Sequence, residues 1–126
     1  AQWSKLIFNA STNPVGALTR LHHAAATYFE PTGDLFEQLI KEGEDVAHQL
    51  GVELHDDPRD MVTQGAEAPG EHKASMFQDI LAERQTEVDF MNGAIVKKGE
   101  EVNVKTPYNQ AMWSLIKGLE HSWTNP

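Results

Sequence analysis

The sequence predicts an all-α domain, a helical bundle without a sheet. Three observations carry this. Apolar residues recur at three- and four-residue spacing through most of the chain. Prolines and glycines fall where helices of ordinary length would start or stop. No run of alternating apolar and polar residues is long enough for a pair of strands. At 126 residues the chain fits a single domain over 1–126, large enough to bury its own core.

The elements follow in order. Trp3 to Asn13 carries Leu6, Ile7, Phe8 and Ala10 and predicts a first helix. Pro14 has no N–H and crowds the preceding turn, so a kink or restart is expected there, with a short continuation from Val15 to His23. After Pro31-Thr32-Gly33, the spacing of Leu35, Leu39, Val46, Ala47 and Leu50 predicts a second helix stopped by Gly51. Glu53 to Gly70 is polar, with room for one short helix near Asp57 to Gln64 and a loop at Ala68-Pro69-Gly70. From Ser75 the apolar pattern returns, with Met76, Ile80 and Leu81 on one face. Thr86, three residues before Asp89, suggests a weak capping box, and a helix from about Thr86 to Glu100 with Phe90, Ala94 and Ile95 inward. Val102-Asn103-Val104 reads as a connector. A last helix after Pro107 would turn Met112, Leu115, Ile116 and Leu119 inward.

The formal net charge is −9 and the ten basic residues are scattered, which argues against a nucleic-acid surface. An anionic small molecule remains compatible, because one or two placed cations suffice locally. The chain has no cysteine, hence no disulfide or thiolate chemistry, in keeping with a cytoplasmic protein. No stretch approaches the length of a membrane span, and no signal peptide is visible. Six histidines raise the question of metal, but none falls at an established ligand spacing, and the expected metal content is none. No G-x-G-x-x-G or P-loop string is present to cradle a nucleotide phosphate.

Lys5, Asn9 and Asn13 stand at i, i+4 and i+8, which stacks one cation and two amides on one helical face. Such a row suits a small ligand bearing a carbonyl and a carboxylate; a solvated helix face explains the same spacing. Ser75 is placed to cap a helix whose N-terminus would face an anion, or is a plain cap. Glu87 and Asp89 fall in the first turn of an expected helix, where the dipole favours carboxylates. Only a partner such as a buried lysine would give Glu87 a chemical role.

Three strings are more specific than their parts. Trp3-Ser4-Lys5-Leu6-Ile7-Phe8-Asn9-Ala10-Ser11-Thr12-Asn13-Pro14 resembles the W-x-K-L-x-x-N-x-x-x-N-P opening of the C-terminal domain of ketopantoate reductases (2-dehydropantoate 2-reductases). Ser75-Met76-Phe77-Gln78-Asp79, Arg84, Thr86-Glu87-Val88-Asp89 and Asn92-Gly93 resemble that family's S-M-x-Q-D…R-x-T-E-x-D-x-x-N-G signature, and Thr106-Pro107-Tyr108-Asn109 its T-P-x-N. The resemblance implies a helical domain like the C-terminal half of 6-phosphogluconate dehydrogenase, following a Rossmann domain that holds NADPH and is absent from this chain. It implies hydride transfer to the C2 ketone of a 2-keto acid, as in ketopantoate to pantoate in pantothenate biosynthesis. It makes Lys5 the catalytic lysine and Glu87 the catalytic glutamate that helps hold it and the substrate hydroxyl. Asn9, Asn13 and Ser75 become substrate-binding residues. The isolated domain is expected to be inactive and, exposing the face that meets its nucleotide domain, to dimerise.

Two positions depart from the family pattern. His23 stands where ketopantoate-reducing members carry an asparagine before Gly-Glu, and His72 where another asparagine is common. Exchanging amides for imidazoles alters donors, shape and pH response, so the substrate need not be ketopantoate. Two other readings are a non-catalytic helical dimerisation or interaction module and the helical domain of a dehydrogenase for another hydroxy acid or an opine-type product.

Overall fold

The computed structural model describes residues 2–125; the two terminal residues of the predicted 1–126 domain lie outside it. The described residues form seven α-helices and one 3₁₀ turn, with no strand: α1 (Trp3–Thr19), α2 (His23–Tyr28), α3 (Glu30–Gln49), α4 (Pro58–Glu67), α5 (Ser75–Leu81), the 3₁₀ turn Val88–Phe90, α6 (Asn92–Glu101) and α7 (Pro107–Ser122). The all-α prediction holds. None of these helices is long and apolar enough to cross a membrane.

α1 is the axis of the fold, and each of three core clusters includes at least one of its residues. Ile7 and Val15 pack with Phe36, Leu39 and Ile40 of α3. Ala17 packs with Met76 and Phe77 of α5, Val88 and Ile116 of α7. Ala10 packs with Val46 and Ile95. α3 approaches α1 at a glycine: a Cβ on Gly43 would come within 2.8 Å of Ile7.

The expected break at Pro14 does not occur; α1 runs through it to Thr19. The missing N–H leaves the Ala10 carbonyl without its usual helical donor. Asn92 replaces it, its Nδ2 donating to Ala10 O at 2.9 Å and also to Asn109 Oδ1 at 3.0 Å. Asn109 Nδ2 in turn donates to the buried Glu42 carboxylate at 2.9 Å. That carboxylate also accepts from the backbone N–H groups of Tyr108 and Asn109, both at 2.9 Å, and so caps α7 where the helix dipole favours negative charge. A chain of polar contacts thus links α1, α6, α7 and α3 through the core. It ties together the asparagines of the N-G and T-P-x-N strings.

Elsewhere the expectations shift. Arg20, in the left-handed region at φ 65°, ends α1, and α2 starts afresh, capped by His22. α3 begins at Glu30, with Pro31 in its first turn, and ends before Gly51 at φ +75°. The short helix expected near Asp57 is α4; Asp57 caps it by accepting from Arg59 N at 2.9 Å.

The helix expected from Thr86 is instead a 3₁₀ turn followed by α6. The cause is tertiary: Thr86 N and Oγ1 donate to Glu120 at 3.0 and 2.6 Å, so Thr86 serves α7 rather than a capping box. Phe90, expected inward, is 78% exposed, because the 3₁₀ turn rotates it off the α-helical face. Met112 and Ile116 are buried as expected, whereas Leu115 is 54% exposed on α7.

Candidate active site

Lys5, Asn9 and Asn13 all project from α1. At about 100° per residue they fall within an arc of roughly 80°. Contacts on its flanks orient that arc. On one side, Ala10 and Ala17 face Asn92 and Val88. On the other, Phe8 and Thr12 line a cavity of about 250 Å³. Burial deepens along the row, from exposed Lys5 through half-buried Asn9 to buried Asn13.

Asn13 joins α1 to the start of α5. Its Oδ1 accepts from Ser75 Oγ at 3.1 Å and Met76 N at 3.3 Å. Ser75 is therefore the first residue of α5 and not its cap; Ala74 precedes the helix and the capping acceptor comes from α1. Because a backbone N–H only donates, the amide orientation is fixed, and Nδ2 keeps both of its N–H groups for another acceptor. No described residue takes them. The approach is close: a Cβ on Gly16 would lie 3.0 Å from that of Ala74.

Lys5 and Glu87 are not in contact with one another. None of the ion pairs among the described residues includes either, and both side chains are exposed. The backbone around Glu87 does lie on the α1 side of the fold. Val88 packs on Ala17 and Met76, and Asn92 bonds to Ala10. The prediction that both carboxylates support a helix N-terminus fails for Asp89. Its oxygens accept from Trp113 Nε1 at 2.8 Å and Lys117 Nζ at 3.3 Å, bracing the 3₁₀ turn against α7. The hydrogen bond from Lys117 to Asp89 outweighs the cost of partial burial and holds the ammonium above the ordinary lysine range.

Sequence reasoning marked His23 only as a departure and missed the cavity it helps build. Its Nε2 lies 2.8 Å from Val62 O, so that nitrogen carries the proton. The ring stacks on Phe36 at 6.2 Å between centroids and tilts against Phe8 at 6.0 Å. Gly65 leaves room for it, since a Cβ there would come within 2.8 Å of Nε2. His72 lines the same cavity, its Nε2 bonded to Pro69 O at 2.7 Å and its carbonyl accepting from His23 N at 2.7 Å. The available signal was Phe8 and Thr12 at i, i+4, one stripe over from the polar row.

Residues 1–120 match the family model described as ketopantoate reductase PanE/ApbA C terminal. The chain belongs to the ketopantoate reductase family. A 2-dehydropantoate 2-reductase of Pyrococcus abyssi is 37% identical over 118 residues, covering 94% of this chain and 39% of that protein. One of Vibrio cholerae is 34% identical, covering 98% and 42%. Among solved structures, a PanE/ApbA family ketopantoate reductase from Ralstonia eutropha JMP134 superposes with a TM-score of 0.88 at 28% identity, over 95% of this chain and 40% of that one. A D-mandelate dehydrogenase solved with NADH and anilino(oxo)acetate superposes at 0.83 and 27% identity, over 95% and 40%. The chain therefore spans about two-fifths of the length of these ketopantoate reductase relatives, and what it matches is their C-terminal domain.

Proposed function

We propose that this chain is the substrate-side half of a nicotinamide-dependent 2-oxo-acid reductase of the 2-dehydropantoate 2-reductase type, working with an N-terminal Rossmann domain outside this chain. The observation that carries the reading is the Asn13–Ser75 contact at the edge of a cavity, on the face that also presents Lys5 and Asn9. The described residues form helices joined by loops and include no strand–turn–helix that would hold a pyrophosphate, so they do not by themselves fit a dinucleotide. The nicotinamide cofactor, taken to be NADPH, supplies the hydride; the residues here do the rest.

In this reading the free N–H groups of Asn13 and the hydroxyl of Ser75 hold the substrate carboxylate. Ser75 can turn its proton from Asn13 Oδ1 to the ligand, because Met76 N–H still occupies that acceptor. Asn9, one turn from both Lys5 and Asn13, orients the 2-oxo group. Lys5 is the proton donor: its ammonium meets an oxygen that gains negative charge as the ketone is reduced. Glu87, exposed and without an ion-pair partner among the described residues, swings to the Lys5 ammonium once substrate and nucleotide domain close the cleft. The isolated chain is inactive and self-associates through exposed apolar side chains such as Phe90 and Leu115, which light scattering checks.

The test is to express the chain with its upstream nucleotide domain and follow NADPH and NADH oxidation with a series of 2-oxo acids. Turnover of at least one supports the reading. A folded protein that oxidises neither cofactor with any of them overturns it, and leaves the helical interaction module.

A further inference from the structure

We infer that the cavity beside Asn13 and Ser75 receives the side chain of the 2-oxo acid, and that it selects an apolar, ring-sized group over a small one. The inference rests on the 2-oxo-acid reading of the same site and extends it to substrate class. The cavity measures about 250 Å³. A cavity of ~150 Å³ lined by apolar side chains is enough to hold a benzene ring.

Its walls are apolar in practice, although several lining residues are polar by type. Phe8, Phe36, Leu21 and Ala26 supply carbon surface. The polar side chains there are mostly committed elsewhere. Thr12 Oγ1 donates to Phe8 O at 2.9 Å, His23 Nε2 to Val62 O at 2.8 Å and His72 Nε2 to Pro69 O at 2.7 Å. Lys73 Nζ donates to Arg20 O and lies 5.3 Å from the centre of the Phe77 ring. A polar group placed against Thr12 Oγ1 or His23 Nε2 finds those atoms already bonded. A ring entering it meets the stack of His23 with Phe8 and Phe36, whose edges and faces suit an aromatic guest. The free donors of Asn13 sit at the same cavity, so a carboxylate held there leaves a short side chain pointing inward.

His23 is the specificity-determining residue. Its ring is held by Val62 O and lies close against Gly65. This imidazole offers chiefly a flat wall.

The experiment compares phenylglyoxylate with pyruvate. Dissociation constants are measured by ligand-observed NMR on the chain, and kcat/KM on the protein carrying its nucleotide domain. Two variants alter the cavity from different directions. Ala68→Trp adds bulk at an exposed lining residue. Gly65→Ala would set a Cβ 2.8 Å from the His23 ring and push the ring inward. Circular dichroism verifies that both fold.

The expected result is a preference for phenylglyoxylate on the order of 10- to 200-fold, the discrimination an apolar pocket reaches for small increments of buried carbon. The ratio falls toward one in both variants. Equal binding of the two acids overturns this inference and leaves the reductase reading standing. A preference that survives both variants overturns the assignment of this cavity. Failure of both acids to bind or turn over overturns the inference and the reading beneath it together.

Discussion

Replacing Asn92 by alanine strips two buried acceptors of their donor, Ala10 O and Asn109 Oδ1. Each orphaned group costs about 1–3 kcal/mol, giving roughly 2–6 kcal/mol. Asn92 Oδ1 is itself buried with no partner, so its removal returns about 1–3 kcal/mol. The net expectation is a loss of roughly 1–3 kcal/mol, tolerable against the ~5–15 kcal/mol stability of an ordinary domain.

The sharper prediction is coupling to Pro14, 78 residues away in sequence. Pro14→Ala restores an N–H that can reach Ala10 O, so Asn92→Ala in that background should cost less by about 1–2 kcal/mol. Urea unfolding followed by the three tryptophans measures all four corners of the cycle. If the two substitutions add to within about 0.5 kcal/mol, Asn92 is not replacing the donor that Pro14 lacks, and the account of the unbroken α1 is wrong.

Three further outcomes are expected. Asn13→Ala removes the acceptor that caps α5 and costs about 1–2 kcal/mol in chemical denaturation, whereas Asn9→Ala, which breaks no hydrogen bond to a described residue, stays within about 0.5 kcal/mol. Ser75→Ala leaves the Met76 N–H to Asn13 bond in place, so unfolding barely shifts while KM rises more than kcat falls. Lys117 is held above the ordinary lysine range by its hydrogen bond to Asp89, so its folded-state value exceeds the unfolded one. Its contribution is complete below about pH 10, the unfolded lysine range, and is lost as the pH rises through the folded value. The stability gap between wild type and Lys117→Met should therefore narrow as the pH rises through the folded lysine value; a gap unchanged to the alkaline limit removes the ion pair from the account.

The fold was legible where periodicity and local punctuation agree. α3 and α7 follow from apolar spacing, α7 from Pro107 at its start as well, and α4 lies where a short helix near Asp57 was expected within a polar stretch. It was not legible where a distant side chain decides. Pro14 reads locally as a breaker, and only Asn92, coming from α6, cancels that. Thr86 reads as a cap, and only Glu120 diverts it. Ser75 reads as the cap of α5, yet the acceptor is Asn13, more than sixty residues earlier. The polar row of Lys5, Asn9 and Asn13 was visible because helical spacing alone stacks it. The cavity next to it was not, because Phe36, Gly65 and His72 reach it from separate elements and no local pattern joins them.

The central proposal is that the ammonium of Lys5 is the proton donor to the reduced ketone. The measurement that addresses it is the turnover of Lys5→Ala on the best 2-oxo acid, at saturating cofactor, in the protein with its nucleotide domain attached. Cofactor affinity and thermal unfolding are checked alongside. A fall of about 10²-fold or more in kcat, with folding and cofactor binding unchanged, is the predicted result. A variant that turns over within a few-fold of the wild type would contradict it and return the row on α1 to a solvated helix face.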